Sequence, residues 1–196
     1  MAKRSPKRAV PSSNQAGAAA ELRHALTRRT KTELVDVLME LAQADRGLLR
    51  QLTTRFKVVA APEDLVASTR QAIADATRFD KRDMNRNFSY DHHAYDEVKR
   101  NLDRLINEGQ LRQALGLALE LMKQGSYQVE MSDEGLMTEE IEDCLKAVIK
   151  ALGKSDLPAA EVIAWCTAMI DADRVGFIAS EPLQSLRNYF QTKAAR

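Results

Sequence analysis

Large apolar residues recur at every third or fourth position along most of this chain, and that spacing constrains its fold more than any other feature. Stripes of this kind run through residues 95–106 and 141–152. No long segment alternates apolar and polar residues, and residues 57–61, with two adjacent valines, are the best of the weak strand candidates. The pattern therefore predicts an all-α protein of about eight or nine helices.

Capping residues and glycines predict where the helices begin and end. Thr30 and Glu33 have the spacing of a capping box, in which the hydroxyl and the carboxylate satisfy two free backbone amides. Asp91 is predicted to cap a long helix, and Gly109 is predicted to follow the end of that helix in a left-handed conformation. The next helix is predicted to stop at Gly125. Each of these signals is local, so each predicts a boundary without reference to the rest of the fold.

Short connections between the helices favour an irregular stack of antiparallel hairpins, similar to an α-solenoid. Residues 126–135 are interpreted as an acidic connection, and Ser155 or Asp156 as the cap of a later helix. The helix at 111–124 is apolar around much of its circumference and is predicted to be central. The predicted organisation is a disordered basic tail (1–18), N-terminal helical hairpins (19–78), a polar connection (79–90) and a C-terminal hairpin stack packed on the first lobe (91–193).

Composition narrows the class of protein. The 196 residues carry a net charge of +1, and no apolar run approaches the roughly 18 residues of a membrane helix, so we expect no membrane partner. The basic N-terminus is followed by no apolar segment, so a secretory signal is not expected. Two cysteines, Cys144 and Cys166, make no disulfide framework and lie on apolar stripes. We therefore predict buried thiols and a cytoplasmic protein.

One histidine–carboxylate cluster is present, at the start of the predicted helix after residue 90. His92 and Asp96 are four residues apart and face the same side of a helix, but His93 points elsewhere and no later histidine completes a site. We interpret Asp91 as a helix cap and the imidazoles as exposed, with a metal enzyme as the alternative. Trp165 is interpreted as a packing residue rather than a stacking platform. No catalytic residue, metal or cofactor is predicted.

The N-terminal tail is the only strongly basic part of the chain. Residues 1–31 hold eight lysines and arginines against one glutamate. The candidate nucleic-acid-binding residues are Lys3, Arg4, Lys7 and Arg8, which surround a Ser-Pro pair similar to basic motifs of the DNA minor groove. The alternative is a tail that only keeps the protein soluble.

Residues 130–143 carry seven carboxylates and no base. Runs of like charge are usually solvated surface, so an acid/base site is the less favoured reading. We treat the segment as a candidate acidic patch for a protein partner. Its residues are Glu130, Asp133, Glu134, Glu139, Glu140, Glu142 and Asp143.

Several short motifs carry a resemblance to a known family. They are Phe88-Ser89-Tyr90-Asp91, Leu105-Ile106-Asn107-Glu108-Gly109, Ala114-Leu115-Gly116-Leu117 and Ser132-Asp133-Glu134-Gly135, with Cys144 and Trp165 beyond them. Residues 88–190 thereby resemble the helical region that accompanies SWIM-type zinc-finger proteins, and residues 26–56 resemble the leucine-rich hairpin that can precede it. The zinc motif of that family, Cys-x-Cys with a later Cys-x-His, is missing here. The resemblance implies a helical protein-interaction module without zinc.

These observations lead to one expected function and one alternative. We expect a non-enzymatic helical interaction or scaffold protein whose partner is another protein. The alternative is an accessory protein that binds DNA or RNA phosphates through its basic tail.

Overall fold

The computed structural model describes residues 21–56, 64–79, 90–132 and 137–194. All regular secondary structure in these residues is helical, which confirms the all-α prediction. The strand candidate at 57–61 lies outside the described residues. The nine described helices are α1 (21–27), α2 (Lys31–Ala44), α3 (Arg46–Arg55), α4 (Leu65–Ala76), α5 (His92–Asn107), α6 (Leu111–Met131), α7 (Thr138–Gly153), α8 (Ala159–Ala172) and α9 (Ser180–Ala194).

The chain divides into two compact units between Leu49 and Arg50. The first unit holds α1, α2 and the start of α3, and the second holds the rest of α3 with α4 to α9. The predicted lobe at 19–78 spans this division, and its helix α4 packs on α5 and α6. The buried face of α4, which includes Leu65 and Ile73, is completed by those later helices. The predicted polar connection at 79–90 lies almost wholly outside the described residues.

Helix α6 is the centre of the second unit, as its apolar circumference predicted. It packs on α4, α5, α7 and α8, while α9 packs on α8 and α7. Leu117, Leu121 and Met122 on α6 are all fully buried. Consecutive helices joined by short turns give the predicted hairpin stack.

The predicted N-terminal caps are present. The Thr30 hydroxyl accepts from the Glu33 amide at 3.2 Å, and the Glu33 carboxylate accepts from the Thr30 amide at 2.8 Å. This second bond is the main reason that the pKa of Glu33 is lowered. The Asp91 carboxylate accepts from the Ala94 amide at 3.0 Å and caps α5. Local spacing alone was sufficient to predict both caps.

The turn after α5 has the geometry predicted for its glycine. Gly109 has φ +76°, in the left-handed region, where a glycine has no Cβ to clash. Its amide donates to the Ile106 carbonyl at 3.0 Å, and the Gln110 amide donates to the Leu105 carbonyl at 2.8 Å. These paired bonds form a Schellman motif, which ends α5 and turns the chain directly into α6.

The prediction that a helix stops at Gly125 is wrong, because α6 continues to Met131. Residues 126–131 are therefore helical and not a connection. Gly125 lies against α7, where an added Cβ would come within 2.7 Å of the Ile141 Cδ1 atom. Here the glycine permits two helices to approach closely.

The prediction that Ser155 or Asp156 caps α8 is also wrong. Helix α8 begins at Ala159, and Pro158 occupies the N-cap position with φ −55°. The Ser155 hydroxyl instead donates to the Leu152 carbonyl at 2.8 Å, at the end of α7. The serine thus stabilises the end of one helix and not the start of the next.

Three buried side chains with polar groups form hydrogen bonds between helices of the second unit. The Tyr95 hydroxyl donates to Gln128 Oε1 at 2.6 Å, and Gln128 Nε2 donates to the Ala76 carbonyl at 3.0 Å. The Trp165 indole donates to the Leu115 carbonyl at 3.0 Å and is 9% exposed. The predicted packing role of Trp165 is confirmed. Buried polar groups with such partners fix which helices meet.

Candidate protein-interaction surface

Large apolar side chains remain exposed in the first unit. Eight of them are between 40% and 59% exposed. We call this set the N-terminal apolar surface: Leu22, Leu26, Val35, Val37, Leu38, Met39, Leu41 and Leu49. Single exposed apolar residues are common in proteins, but a concentration of them on one short stretch is typical of an interaction site.

The pattern on α2 explains how this surface arises. At about 100° per residue, its apolar residues cover an arc of roughly 200° centred near Leu38. The opposite side is polar and carries Thr32, Asp36, Glu40 and Gln43. Leu38 is 41% exposed and Leu41 is 51% exposed, so the apolar side of an amphipathic helix is left partly in water. A 14-residue helix gains most of its stability by packing such a side, which favours a partner at this surface.

The second unit exposes fewer large apolar side chains among its described residues. Phe177, 52% exposed, lies in a groove of about 480 Å³ between α7 and the start of α9. Ile149 and Pro182 line the same groove, with Lys150 and Glu181 at its edges. Charges of both signs border it, so its chemistry favours neither an anionic nor a cationic ligand.

The candidate acidic patch is largely engaged with the second unit itself. Glu130 pairs with Arg174 at 2.5 Å. The Glu142 carboxylate accepts from the Ala179 amide at 3.1 Å, at a residue with φ +50°. Both carboxylates thereby connect helices to the segment between α8 and α9.

One further acidic residue of that patch, Asp143, contacts α5 through Lys99. Asp143 lies 2.5 Å from the Lys146 ammonium and 3.4 Å from that of Lys99, and its hydrogen bond to Lys146 is the main cause of its lowered pKa. Glu139 is exposed in the first turn of α7. Asp133 and Glu134 lie outside the described residues, so the patch as a whole stays a prediction.

The histidine–carboxylate cluster lies on the surface where α5 meets α7. His92 and His93 are exposed, as predicted, and His92 Nδ1 is 3.4 Å from a Glu140 oxygen. The Tyr90 hydroxyl donates to the same carboxylate at 2.5 Å, and burial, followed by this bond, raises the pKa of Tyr90. A cavity of about 260 Å³ adjoins these groups and is lined by His92, Tyr95, Asp96, Lys99, Glu140, Asp143 and Cys144.

This cluster does not have the arrangement of a metal site. Within the described ranges, no three histidine, cysteine or acidic side chains are placed to share a metal ion. Asp96 is exposed on α5 and Asp91 is engaged in capping that helix. The arrangement that is present serves instead to join α5 to α7 through hydrogen bonds.

Both cysteines are buried, which confirms the prediction for their thiols. The Cys144 thiol donates to the Tyr95 carbonyl at 3.5 Å. Burial raises the pKa of Cys144 to about 12 and that of Cys166 to about 11. Since the thiolate is the reactive form, these cysteines are suited to packing and not to nucleophilic chemistry.

The raised thiol pKa values predict loss of stability in alkali. Unfolded thiols ionise near pH 9, whereas the folded thiols of Cys144 and Cys166 stay protonated to about pH 12 and 11. Between pH 9 and 11 the unfolded state therefore binds fewer protons, and the free energy of unfolding falls as the pH rises. Each thiol contributes about 1.4 kcal/mol per pH unit. Urea titrations at pH 8, 9, 10 and 11 measure this slope.

The matched control is the Cys144→Ala, Cys166→Ala double variant. Its slope between pH 9 and 11 should be clearly smaller than that of the wild type. Some slope should remain, because burial also raises the pKa of Tyr95 well above its ordinary value. An unchanged slope in the double variant would show that the thiols do not cause the alkaline loss.

Sequence reasoning missed an ion cluster in which one buried arginine of the second unit contacts three carboxylates. Arg50 on α3 is 7% exposed, and its guanidinium contacts Glu97 at 2.5 Å, Asp91 at 2.6 Å and Asp75 at 2.7 Å. Burial opposes ionisation, but the hydrogen bonds to Glu97 and Asp75 and the charge of Asp91 raise the pKa of Arg50. Asp75, Asp91 and Glu97 lie 25, 41 and 47 residues from Arg50 in the sequence. No pattern of neighbouring residues therefore predicts the cluster. All three nitrogens of the guanidinium contact a carboxylate, so Arg50 links α3 to α4 and α5.

The basic tail with Lys3, Arg4, Lys7 and Arg8 lies outside the described residues. Within the described ranges, none of the helices is both long and apolar enough to cross a bilayer. Compared with known proteins, the chain matches no family model, no curated protein and no solved structure. The resemblance to the SWIM-associated helical region therefore stays a prediction.

Proposed function

We propose that this protein is a non-enzymatic helical interaction module, and that it binds a protein partner through the N-terminal apolar surface. The observation that carries the proposal is the contrast between the two units. The second unit buries most of its large apolar residues in one continuous core and leaves four of the described ones exposed, whereas the much shorter first unit leaves eight of them 40–59% exposed. Burial of such a surface is the dominant driving force of protein association.

The chemistry of the second unit supports a scaffold rather than an enzyme. Its thiols are buried and held protonated, and its most buried cation is fully engaged by Glu97, Asp91 and Asp75. The SWIM-associated resemblance implies the same kind of module. We place the protein in the cytoplasm, where free thiols such as Cys144 and Cys166 are ordinary. The nucleic-acid alternative depends on tail residues that the structure does not describe.

Affinity capture with the full chain tests the proposal. The bait variants are Leu38→Glu, in the apolar arc of α2, and Gln43→Lys, a matched control on its polar side. An untagged copy of the chain is present, so that binding of a second copy is detected as well. The proteins recovered with each bait are quantified by mass spectrometry. Partners should be lost with Leu38→Glu and kept with Gln43→Lys. Equal recovery by wild type and Leu38→Glu, with unchanged helix content by circular dichroism, would overturn the proposed role of this surface.

A further inference from the structure

We propose that the partner of this protein holds α2 in a concave apolar cleft whose rim carries lysine and arginine side chains. This inference rests on the proposed function and specifies the shape and the charge of the partner. Two observations on α2 support it, namely the exposure of both flanks of its apolar arc and a polar side whose charges are all negative.

Exposure on both flanks of α2 requires a concave partner. Val37 and Met39 lie about 100° to either side of Leu38 around the helix axis. They are 49% and 48% exposed, so about half of each side chain is in water. A flat surface placed over Leu38 does not bury these flanks, because side chains this far around the helix point slightly away from it. Walls that rise on both sides of the helix bury Val37 and Met39 together.

The spacing of apolar residues along α2 is that of helices that dock in grooves. Such helices present anchors at positions i, i+3, i+4 and i+7. On α2 these four positions are occupied by Leu34, Val37, Leu38 and Leu41. The last three are 41–51% exposed, and Ala42, near the end of the helix, is its only buried residue. The exposed anchors thus occupy the turns before Ala42, and these are the turns that the cleft covers.

The charges of α2 favour a basic rim. The side opposite the apolar arc carries the carboxylates of Glu33, Asp36 and Glu40 and no base, while the only base of the helix, Lys31, is its first residue. The rim of a cleft lies beside this side within about 10 Å, which is the diameter of a helix and close to the Debye length at physiological salt. The two therefore interact without direct ion pairs. Lysine or arginine on the rim accelerates association, whereas acidic residues there oppose it.

Photo-cross-linking of the full chain tests for walls on both flanks. A photoreactive phenylalanine analogue is placed singly at Val37, Met39 or Glu40, and each chain is added to an extract of the cells that produce this protein. One polypeptide should be linked from positions 37 and 39, at two separate segments of its sequence that mass spectrometry locates. It should not be linked from position 40. A polypeptide linked from one flank only, or also from position 40, overturns the cleft.

Charged substitutions measure the contribution of each flank with the cross-linked partner in purified form. Val37→Glu and Met39→Glu should each raise the dissociation constant at least about tenfold, since each places a carboxylate against an apolar wall. Gln43→Glu, the matched control, adds the same carboxylate on the polar side and should bind at least as tightly as the wild type. Circular dichroism establishes that all three variants keep their helix content. An effect at one flank alone would show a flat contact and overturn the cleft.

Charge reversal tests the rim without altering any apolar residue. The Asp36→Lys, Glu40→Lys variant makes the polar side of α2 basic. Its association rate at low salt should fall at least about tenfold, while its dissociation rate stays close to that of the wild type. An association rate equal to that of the wild type, or faster, overturns the basic rim.

The outcome for the cleft can be separated from that for the proposed function. If Leu38→Glu loses a partner that is linked from one flank only or from neither, the interaction surface stands and the cleft is wrong. The same holds if the linked polypeptide is a second copy of this chain. If Leu38→Glu loses no protein, both proposals fail, and they also fail if phosphatidylcholine vesicles in place of a protein sediment the wild type but not Leu38→Glu.

Discussion

Replacing Arg50 with methionine should lower the free energy of unfolding by about 3 kcal/mol, because it removes the cation that balances three neighbouring carboxylates in a largely buried cluster. Asp75, Asp91 and Glu97 would then face one another, and their side chains are only 17%, 32% and 25% exposed. The expected cost lies at the lower end for buried ion pairs, since water still reaches each carboxylate. Urea unfolding followed by circular dichroism measures it.

Two further substitutions establish that the cluster geometry causes this loss. The free energy of unfolding of Arg50→Lys should lie between those of the wild type and Arg50→Met, because one ammonium group does not match three carboxylates as a guanidinium does. Arg112→Ala removes an arginine that pairs with Glu161 in an exposed position, and should destabilise the protein much less than Arg50→Met does. If Arg50→Met costs no more than Arg112→Ala, the cluster does not hold the helices together.

Replacing Gly125 with leucine should cost more than about 3 kcal/mol, because a side chain at this position is forced into a filled core. The first added carbon already meets Ile141, which is fully buried. Gly125→Ala should cost less, since the better helix propensity of alanine offsets part of the clash. Thermal unfolding of the full chain measures both changes.

Gly116 on the same helix provides the matched control. Apart from its own stretch of helix, no atom lies within 4 Å of a Cβ at this position, so Gly116→Ala should stabilise the protein by about 0.5–1 kcal/mol. Adding Ile141→Val to Gly125→Ala removes the clashing Cδ1 atom, so the two changes together should cost less than their separate costs combined. A Gly125→Ala variant as stable as Gly116→Ala would show that the close approach carries no energetic constraint.

Sequence alone was sufficient for features that depend on neighbouring residues. The capping box at Thr30 and Glu33 and the turn at Gly109 were predicted because a few consecutive residues determine their hydrogen bonds. Apolar periodicity predicted the helices and the central place of α6 for the same reason. These signals identify the elements, but they do not say which elements meet.

The outcomes at Gly125 and Arg50 share one physical cause, which is that they depend on contacts between distant segments. A glycine in a helical pattern is compatible with a helix end or with a close approach, and only the position of Ile141 shows which applies to Gly125. Arg50 has partners on two other helices that no spacing reveals. The apolar periodicity of α2 is present in the sequence. Its exposure could not be predicted, because periodicity does not show whether another helix covers the apolar side.

The tight turn between α5 and α6 has a consequence for the order in which the protein folds. Helices that are adjacent in sequence meet at little entropic cost, whereas the Arg50 contacts must close segments of 25 to 47 residues. We therefore expect the α5–α6 hairpin to be formed in the folding transition state, before α3 and α9 join it. Truncating Leu102 or Leu121 to alanine should mainly slow folding, whereas Phe190→Ala should mainly speed unfolding. Stopped-flow kinetics would reject this order if Phe190→Ala slowed folding as much as Leu121→Ala did.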